Sequence, residues 1–265
     1  MTDANGTATY VYCLLKLSAR RSPPPLARGP RGLAGTGPVR ALDLDDGLRL
    51  IVADAPLRRY GSEPIEQHLR DLGWVSSCAV AHERVIEHFA RHGTVIPMKL
   101  FTLFAGDERA VDHVRRSLKR VRRVLTRVSD REEWGVRLRL DERRALRQRV
   151  ATAAKAPAAA GGTAFLLRKQ RERQAVQNVA KDARIEADRL FTALAHRADD
   201  ARRQTPAQAG TGVTVALDAA FLVPTKRAAA FRAAVKSAAA TLEPRGFDVT
   251  LTGPWPPYNF VGDPT

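Results

Sequence analysis

Apolar residues in the first half of the chain repeat with two periods, one typical of strands and one typical of helices. Four short runs predict strands, and the middle two flank a turn sequence of two aspartates and a glycine that predicts a hairpin: Tyr10–Leu17, Val39–Leu44, Leu48–Val52 and Glu133–Leu140. A fifth run, Val95–Leu100, contains Pro97. Because proline has no N–H to donate to a neighbouring strand, we expect this run at a sheet edge.

Spacings of three and four residues mark the helices of the same half. They run through Val75–Ala90 and, with arginine and lysine on the other faces, through Asp107–Val128, which predicts one long amphipathic helix. Pro64 suits the first turn of a further helix, with Ser62 as its cap. This order predicts an α+β domain over residues 1–141, with helices on one face of an antiparallel sheet. A ferredoxin-like arrangement is the nearest simple template.

The remaining residues, 142–265, predict a smaller α+β domain that contains a long helix. Residues Ala151–Gly162 are rich in alanine, glycine and proline and mark a break, after which Ala164–Ala201 contains neither proline nor glycine. At 1.5 Å per residue that helix is about 57 Å long, more than a small sheet covers. Part of it therefore projects, or pairs with Glu142–Ala154 as an antiparallel coiled-coil arm. One helix and three strands complete the domain: Thr225–Leu242, Val213–Leu217, Ala219–Val223 and Phe247–Leu251.

The C-terminal segment Gly253–Phe260 is a rigid aromatic tail. Its three prolines fix φ and remove backbone donors, while Trp255, Tyr258 and Phe260 place large apolar side chains on that frame. Such a tail either clasps its own domain or offers a surface to a partner. Because an exposed tryptophan among rigid prolines would favour aggregation, we expect Trp255 to pack on the C-terminal domain.

The chain is strongly basic, with a formal net charge of +16 and a pI near 10.9. Basic side chains crowd the predicted helix Asp107–Val128 at Arg115, Arg116, Lys119, Arg122 and Arg123. A basic stripe attracts polyanions or acidic proteins. Nucleic-acid binders usually add stacking aromatics, but aromatic residues make up 6% of this chain and none interleaves the stripe. A solvated face, or one that meets an acidic protein, is therefore favoured over a nucleic-acid contact.

The sequence contains no convincing catalytic or cofactor-binding arrangement. His88 and His92 have a spacing that can hold a metal, but the glutamate of the zincin pattern is not between them. Cys78 and His82 share that spacing, but no orienting acid lies nearby. The glycine-rich run Gly29–Gly37 contains proline and is not followed by Lys-Ser or Lys-Thr, so it is not a phosphate loop. We therefore expect no enzyme activity, no cofactor and no metal site.

Compartment signals point to a cytoplasmic protein. No apolar run approaches the roughly 20 residues that a membrane span needs. Residues Met1–Thr7 are polar and lack the basic start of a signal peptide. Cys13 and Cys78 form no metal pattern, so we expect two buried, reduced thiols and no membrane partner.

Four segments in this order resemble the gas vesicle protein GvpF/GvpL family. They are the strand start Tyr10-Val11-Tyr12, the helix and following block within Val80–Phe104, the strand start Glu133–Val136 and the ending Gly253–Val261. Two positions depart from the family's Val-x-Pro-x-Arg-Phe-Gly-Thr block. Lys99 stands where the family usually has arginine, and Phe101 stands where it usually has glycine. A point charge thus replaces a bidentate fork, and a bulky ring replaces a flexible backbone position.

The resemblance implies a non-enzymatic protein of two α+β domains, the first of them a modified ferredoxin-like domain. It implies a gas vesicle accessory or minor structural protein that takes part in assembly by binding the main shell protein or other accessory proteins. We expect these contacts at the basic helix, at the long helix and at the aromatic tail. The alternative hypothesis is a basic nucleic-acid-associated protein.

Overall fold

The structure is a computed structural model that describes residues 6–17, 29–154, 179, 181–205 and 212–262. The chain divides into two units. We call Met1–Asp130 together with Trp255–Thr265 the first unit, and Arg131–Pro254 the second unit. Each unit is built on its own antiparallel sheet, so the mixed α+β class predicted from the sequence is confirmed.

Strand β1 (Thr7–Leu17) lies at the centre of the first sheet. It pairs antiparallel with β3 (Leu48–Pro56), β4 (Gly93–Pro97) and the short β5 (Leu103–Phe104). Strand β2 (Arg40–Asp43) pairs with the outer side of β3, which gives the order β2-β3-β1-β4. The predicted hairpin and the predicted proline-containing edge strand are both confirmed. Because β2 and β3 precede the first long helix, the order differs from a plain ferredoxin-like βαββαβ unit.

The described helices of the first unit are α1 (Leu57–Tyr60), α2 (Ser62–His68), α3 (Leu72–Ala90), α4 (Asp107–Arg116) and α5 (Leu118–Val128). The predicted helix Val75–Ala90 is confirmed as α3. It starts earlier because the Asp71 carboxylate accepts hydrogen bonds from the N–H groups of Gly73 and Trp74, at 2.9 and 3.1 Å. Ser62, which we expected to cap a helix, is instead the first residue of α2.

The single helix predicted over Asp107–Val128 is wrong, because the structure has two helices that meet at Ser117. This residue leaves helical geometry, with φ −105° and ψ 11°. Its hydroxyl donates to the carbonyls of Val114 and His113, at 3.1 and 3.4 Å. A serine hydroxyl that bonds to the preceding turn competes with the helical backbone pattern, which accounts for the break.

Helices cover both faces of the first sheet, although the sequence predicted one covered face. Tyr12 and Ile51 point to the face where α3 packs, and they share a core cluster with its apolar side. Leu14 and Leu50 point to the other face and are also buried. Helices α4 and α5 contact β1, β4 and β5 and bring in buried residues such as Val121. Strand β1 is consequently buried on both sides.

The second sheet has the order β7-β8-β6-β9, from β6 (Arg131–Asp141), β7 (Asp200–Arg203), β8 (Val213–Pro224) and β9 (Phe247–Trp255). The two strands predicted over Val213–Leu217 and Ala219–Val223 are one strand, β8. Its pairing with β6 shifts register between Leu138 and Arg139, which skips Ala216. The short β7 was not predicted.

The described helices of the second unit are α6 (Glu142–Ala154), α7 (181–195) and α8 (Ala228–Leu242). Helix α6 has the bounds expected for one side of a coiled-coil arm. Ala145 shares a core cluster with Ala183 of α7, and Arg149 forms an ion pair with Asp182. Residues 155–178 lie outside the described residues. The predicted end of the long helix at Ala201 is wrong, since β7 begins at Asp200.

The aromatic tail packs in the first unit, whereas the sequence left open whether it clasps its own domain or offers a surface to a partner. Pro256 and Pro257 are buried, and Phe260 is 0% exposed. The Tyr258 hydroxyl donates to the carboxylate of Glu83 on α3. Trp255, expected to be packed, is instead 41% exposed.

Replacement of Phe260 should therefore destabilise the protein more than replacement of Trp255. Phe260→Ala empties a fully buried site and should lower the free energy of unfolding by about 3–5 kcal/mol. Trp255→Ala removes a side chain that is already partly in water, and it should cost less than about 1.5 kcal/mol. Urea unfolding of both variants checks this. Equal losses would show that Trp255 is packed in solution.

Candidate functional site

A buried hydrogen-bond chain links β1 to α3 in the core of the first unit. His82 is 4% exposed. Its Nε2 lies 3.0 Å from the carbonyl oxygen of Met98, so Nε2–H donates and Nδ1 accepts from the Tyr10 hydroxyl at 2.7 Å. That hydroxyl accepts in turn from the backbone N–H of Phe101, at 3.2 Å. Both ring nitrogens thus have partners, as burial of an imidazole requires.

This arrangement keeps His82 neutral and occupied. Burial lowers the pKa of His82 to about 4, against a smaller opposing effect of the Met98 hydrogen bond. Burial also raises the pKa of the Tyr10 hydroxyl. The imidazole stacks on Tyr12, with ring centroids 5.5 Å apart. With neither nitrogen available to a substrate, His82 acts as a positioning residue for the block that follows β4.

The other chemical candidates from the sequence are Cys78 and the pair of His88 and His92. Cys78 borders a cleft of about 610 Å³ beside residues 29–39, but burial raises the pKa of its thiol and so weakens it as a nucleophile. The rings of His88 and His92 lie 5.3 Å apart on α3. Within the described ranges, no group of three or more His, Cys, Asp or Glu side chains could hold a metal ion.

Phe101 occupies a backbone conformation that favours glycine. Its φ is +63°, in the left-handed region. Its ring stacks on Trp74 at a centroid distance of 5.2 Å, and its N–H is bound by Tyr10. This is the position at which the sequence departs from the glycine of the family block, and the positive φ explains why glycine suits it.

Helices α4 and α5 present the basic surface, which we define as Arg115, Arg116, Lys119, Arg122 and Arg123. All five side chains are exposed, and the break at Ser117 divides them between the two helices. The set is not uniform. Arg115 forms an ion pair with Asp45 at 3.5 Å, and Arg122 forms one with Asp46. The other three have no ion-pair partner among the described residues.

The basic surface starts from an anchored helix end. Asp107, the first residue of α4, receives two hydrogen bonds from the Arg40 guanidinium, at 2.7 and 2.9 Å. The Thr9 hydroxyl adds a third at 2.7 Å. The Arg40 guanidinium holds the pKa of the Asp107 carboxyl below its usual range. These contacts fix α4 to β1 and β2, and they were not apparent from the sequence.

Two of the three tail residues predicted for protein contacts are engaged within the first unit. Phe260 is a core residue, so we remove it from the proposed interface. Tyr258 is partly buried and donates to Glu83. Burial raises the pKa of the Glu83 carboxyl, and the Tyr258 hydrogen bond partly offsets that effect. Of the three, Trp255 keeps an accessible ring.

The sequence indicated several residues of the site but seldom their hydrogen-bond or ion-pair partners. It found His82 but not Tyr10, which is 72 positions away, because no local period links a strand residue to a distant helix. It treated Asp45 and Asp46 as turn residues only. Two adjacent acids in so basic a chain were a usable signal, since they were candidates to pair with the arginine-rich helix.

The chain is similar to gas vesicle proteins over most of its length. Residues 8–262 match the family described as "Gas vesicle synthesis protein GvpL/GvpF", and the chain belongs to this family. Among curated relatives, "Gas vesicle protein L" of Streptomyces sp. (strain CB03234) is 33% identical over 245 residues, which covers 89% of this chain and 88% of that protein. Family membership gives the chain a role in gas vesicles.

Two solved structures show the same fold. The crystal structure of the gas vesicle protein GvpF from Anabaena sp. PCC7120 has a TM-score of 0.68 at 18% identity and covers 97% of this chain and 98% of that one. The gas vesicle protein GvpF from Microcystis aeruginosa has a TM-score of 0.61 at 15% identity and covers 96% of this chain and 98% of that one.

Among the described helices, no helix has the length and apolar character that a membrane span requires.

The neutral state of His82 predicts a specific pH dependence. In the unfolded chain His82 takes up a proton below a pKa near 6.5, whereas in the folded chain it does so near 4. The unfolded state therefore binds more protons between these values, and this stability contribution falls as pH decreases. At pH 5 the loss from this group should be about 2 kcal/mol relative to pH 7.5. Urea unfolding at both pH values should show a smaller loss for His82→Gln; equal losses would contradict a buried neutral His82.

The backbone of Phe101 predicts an inverted ranking of two substitutions. Phe101→Ala and Phe101→Gly both remove the ring from Trp74, but only glycine adopts a φ of +63° without strain. The glycine variant should be the more stable of the two by about 1 kcal/mol, the reverse of the usual order. Thermal unfolding of both variants measures this. A more stable alanine variant would argue against the left-handed backbone.

Proposed function

We propose that this protein is an accessory or minor structural component of gas vesicles that takes part in their assembly by binding other vesicle proteins. The observation that carries the proposal is the family match over residues 8–262, supported by the curated relative named gas vesicle protein L. The main shell protein is the first partner to test, and other accessory proteins are the next.

Surface contact, and not catalysis, is the proposed mode of action. The exposed, positively charged surface on α4 and α5 supplies a place for such contact. The core histidine is neutral and has both nitrogens occupied, and burial raises the pKa of the neighbouring Cys78 thiol, so neither is suited to act on a substrate. A nucleic-acid-associated function would use the same basic surface, but no Phe, Tyr or Trp lies in α4 or α5 to stack on bases.

The proposal predicts a defect in vesicle formation when the gene is deleted. Electron microscopy and flotation of cells should show absent or malformed vesicles, and the full chain supplied in trans should restore them. In a pull-down at moderate salt, the tagged full chain should retain the main shell protein or another vesicle protein. Normal vesicles after deletion, with no vesicle protein retained, would refute this function.

A further inference from the structure

The basic surface is divided into a neutralised stripe and an unneutralised stripe. Arg115 and Arg122 are neutralised by the adjacent carboxylates of Asp45 and Asp46, on the short helical turn between β2 and β3. Arg116, Lys119 and Arg123 are exposed and have no ion-pair partner among the described residues. We call these three the unpaired stripe.

Helix α5 has nothing of its own to balance that charge. Its sequence from Leu118 to Val128 contains no acidic residue. Lys119 and Arg123 are one turn apart, which places them about 6 Å apart along the helix axis. Arg116 precedes them on the other side of the Ser117 break. Lys119 and Arg123 therefore offer two cations at a spacing that carboxylates one helical turn apart can match, and Arg116 adds a third exposed cation before the break.

The neutralised stripe is an example of carboxylates bound by the basic surface. Two carboxylates on one tight turn serve two arginines that are seven positions apart, so this helix surface already accepts carboxylates from a separate element. An acidic segment beside α5 would repeat that contact with the unpaired stripe. Charge complementarity also argues against a second copy of this chain as the occupant, because two molecules of net charge +16 repel each other.

We propose that the unpaired stripe of Arg116, Lys119 and Arg123 is the docking site for an acidic segment of another gas vesicle protein. The inference rests on the proposed function for the identity of the partner's class, and on the exposed cations of α4 and α5 for its chemistry. The bound segment has carboxylates about one helical turn apart. An exposed ion pair contributes little binding free energy, so binding needs all three cations of the stripe together. Because salt screens exposed charges, the affinity decreases as the salt concentration increases.

The first test measures binding to chemical probes. The probes are a synthetic helical peptide with glutamate at every fourth position and a 20-base-pair DNA duplex. Arg116→Gln/Lys119→Gln/Arg123→Gln should reduce peptide affinity about tenfold relative to the unmodified chain. The control, Arg84→Gln/Lys226→Gln/Lys236→Gln, removes the same charge from exposed positions on α3, on α8 and in the turn that precedes α8. It should change peptide affinity less than threefold, and circular dichroism should confirm that both variants are folded.

The second test places the same variants in the deletion strain. The control triple variant should restore vesicles as well as the unmodified chain does, whereas the stripe variant should not. Restoration by both variants, or equal loss of peptide binding in both, would overturn the docking site while leaving the proposed function standing. Tighter binding to the duplex than to the peptide, with a steep salt dependence, would overturn it in favour of nucleic acid. Normal vesicles after deletion would instead count against the function, and the peptide measurement would still decide whether the stripe binds acids.

Discussion

Burial of β1 on both of its faces is the constraint on which the first unit depends. A strand with no solvent side must bring a partner for every polar atom it carries into the core. Tyr10 meets this requirement through His82, and the same imidazole reaches the carbonyl of Met98. One neutral side chain thereby fixes a helix, the central strand and the chain beyond β4. The left-handed turn at Phe101 follows, because its N–H must reach the same tyrosine hydroxyl.

The same constraint decides where function can lie. Helix α3 covers one face of the first sheet, and α4 and α5 cover the other. Apolar positions of α5 such as Val121 face the sheet, and its cations face water. The histidine and Cys78 are buried, whereas the cations of the basic surface are exposed. Membership of the GvpL/GvpF family gives such a chain a role in gas vesicles.

The period of the apolar residues predicted most of the elements, because a helix or strand that buries one face carries apolar residues at its own period. Strand β6 alternates apolar residues with arginine, and the apolar residues of α3 recur every three to four positions. The incorrect predictions have local causes that the period of apolar residues does not reveal. A serine hydroxyl divides α4 from α5, and β7 is too short to show a period. The basic residues were visible in the sequence, but their division into two stripes depends on Asp45 and Asp46, which lie far away along the chain.

The docked tail has a consequence for how the protein is made. Because a ribosome synthesises the chain from its N-terminus, residues 1–130 leave the ribosome before Tyr258 and Phe260 have been added. The first unit consists of two stretches that the whole second unit separates in the sequence. Its core therefore receives Phe260 only after the whole second unit has been translated. Packing of Phe260 into that core thus follows synthesis of the second unit.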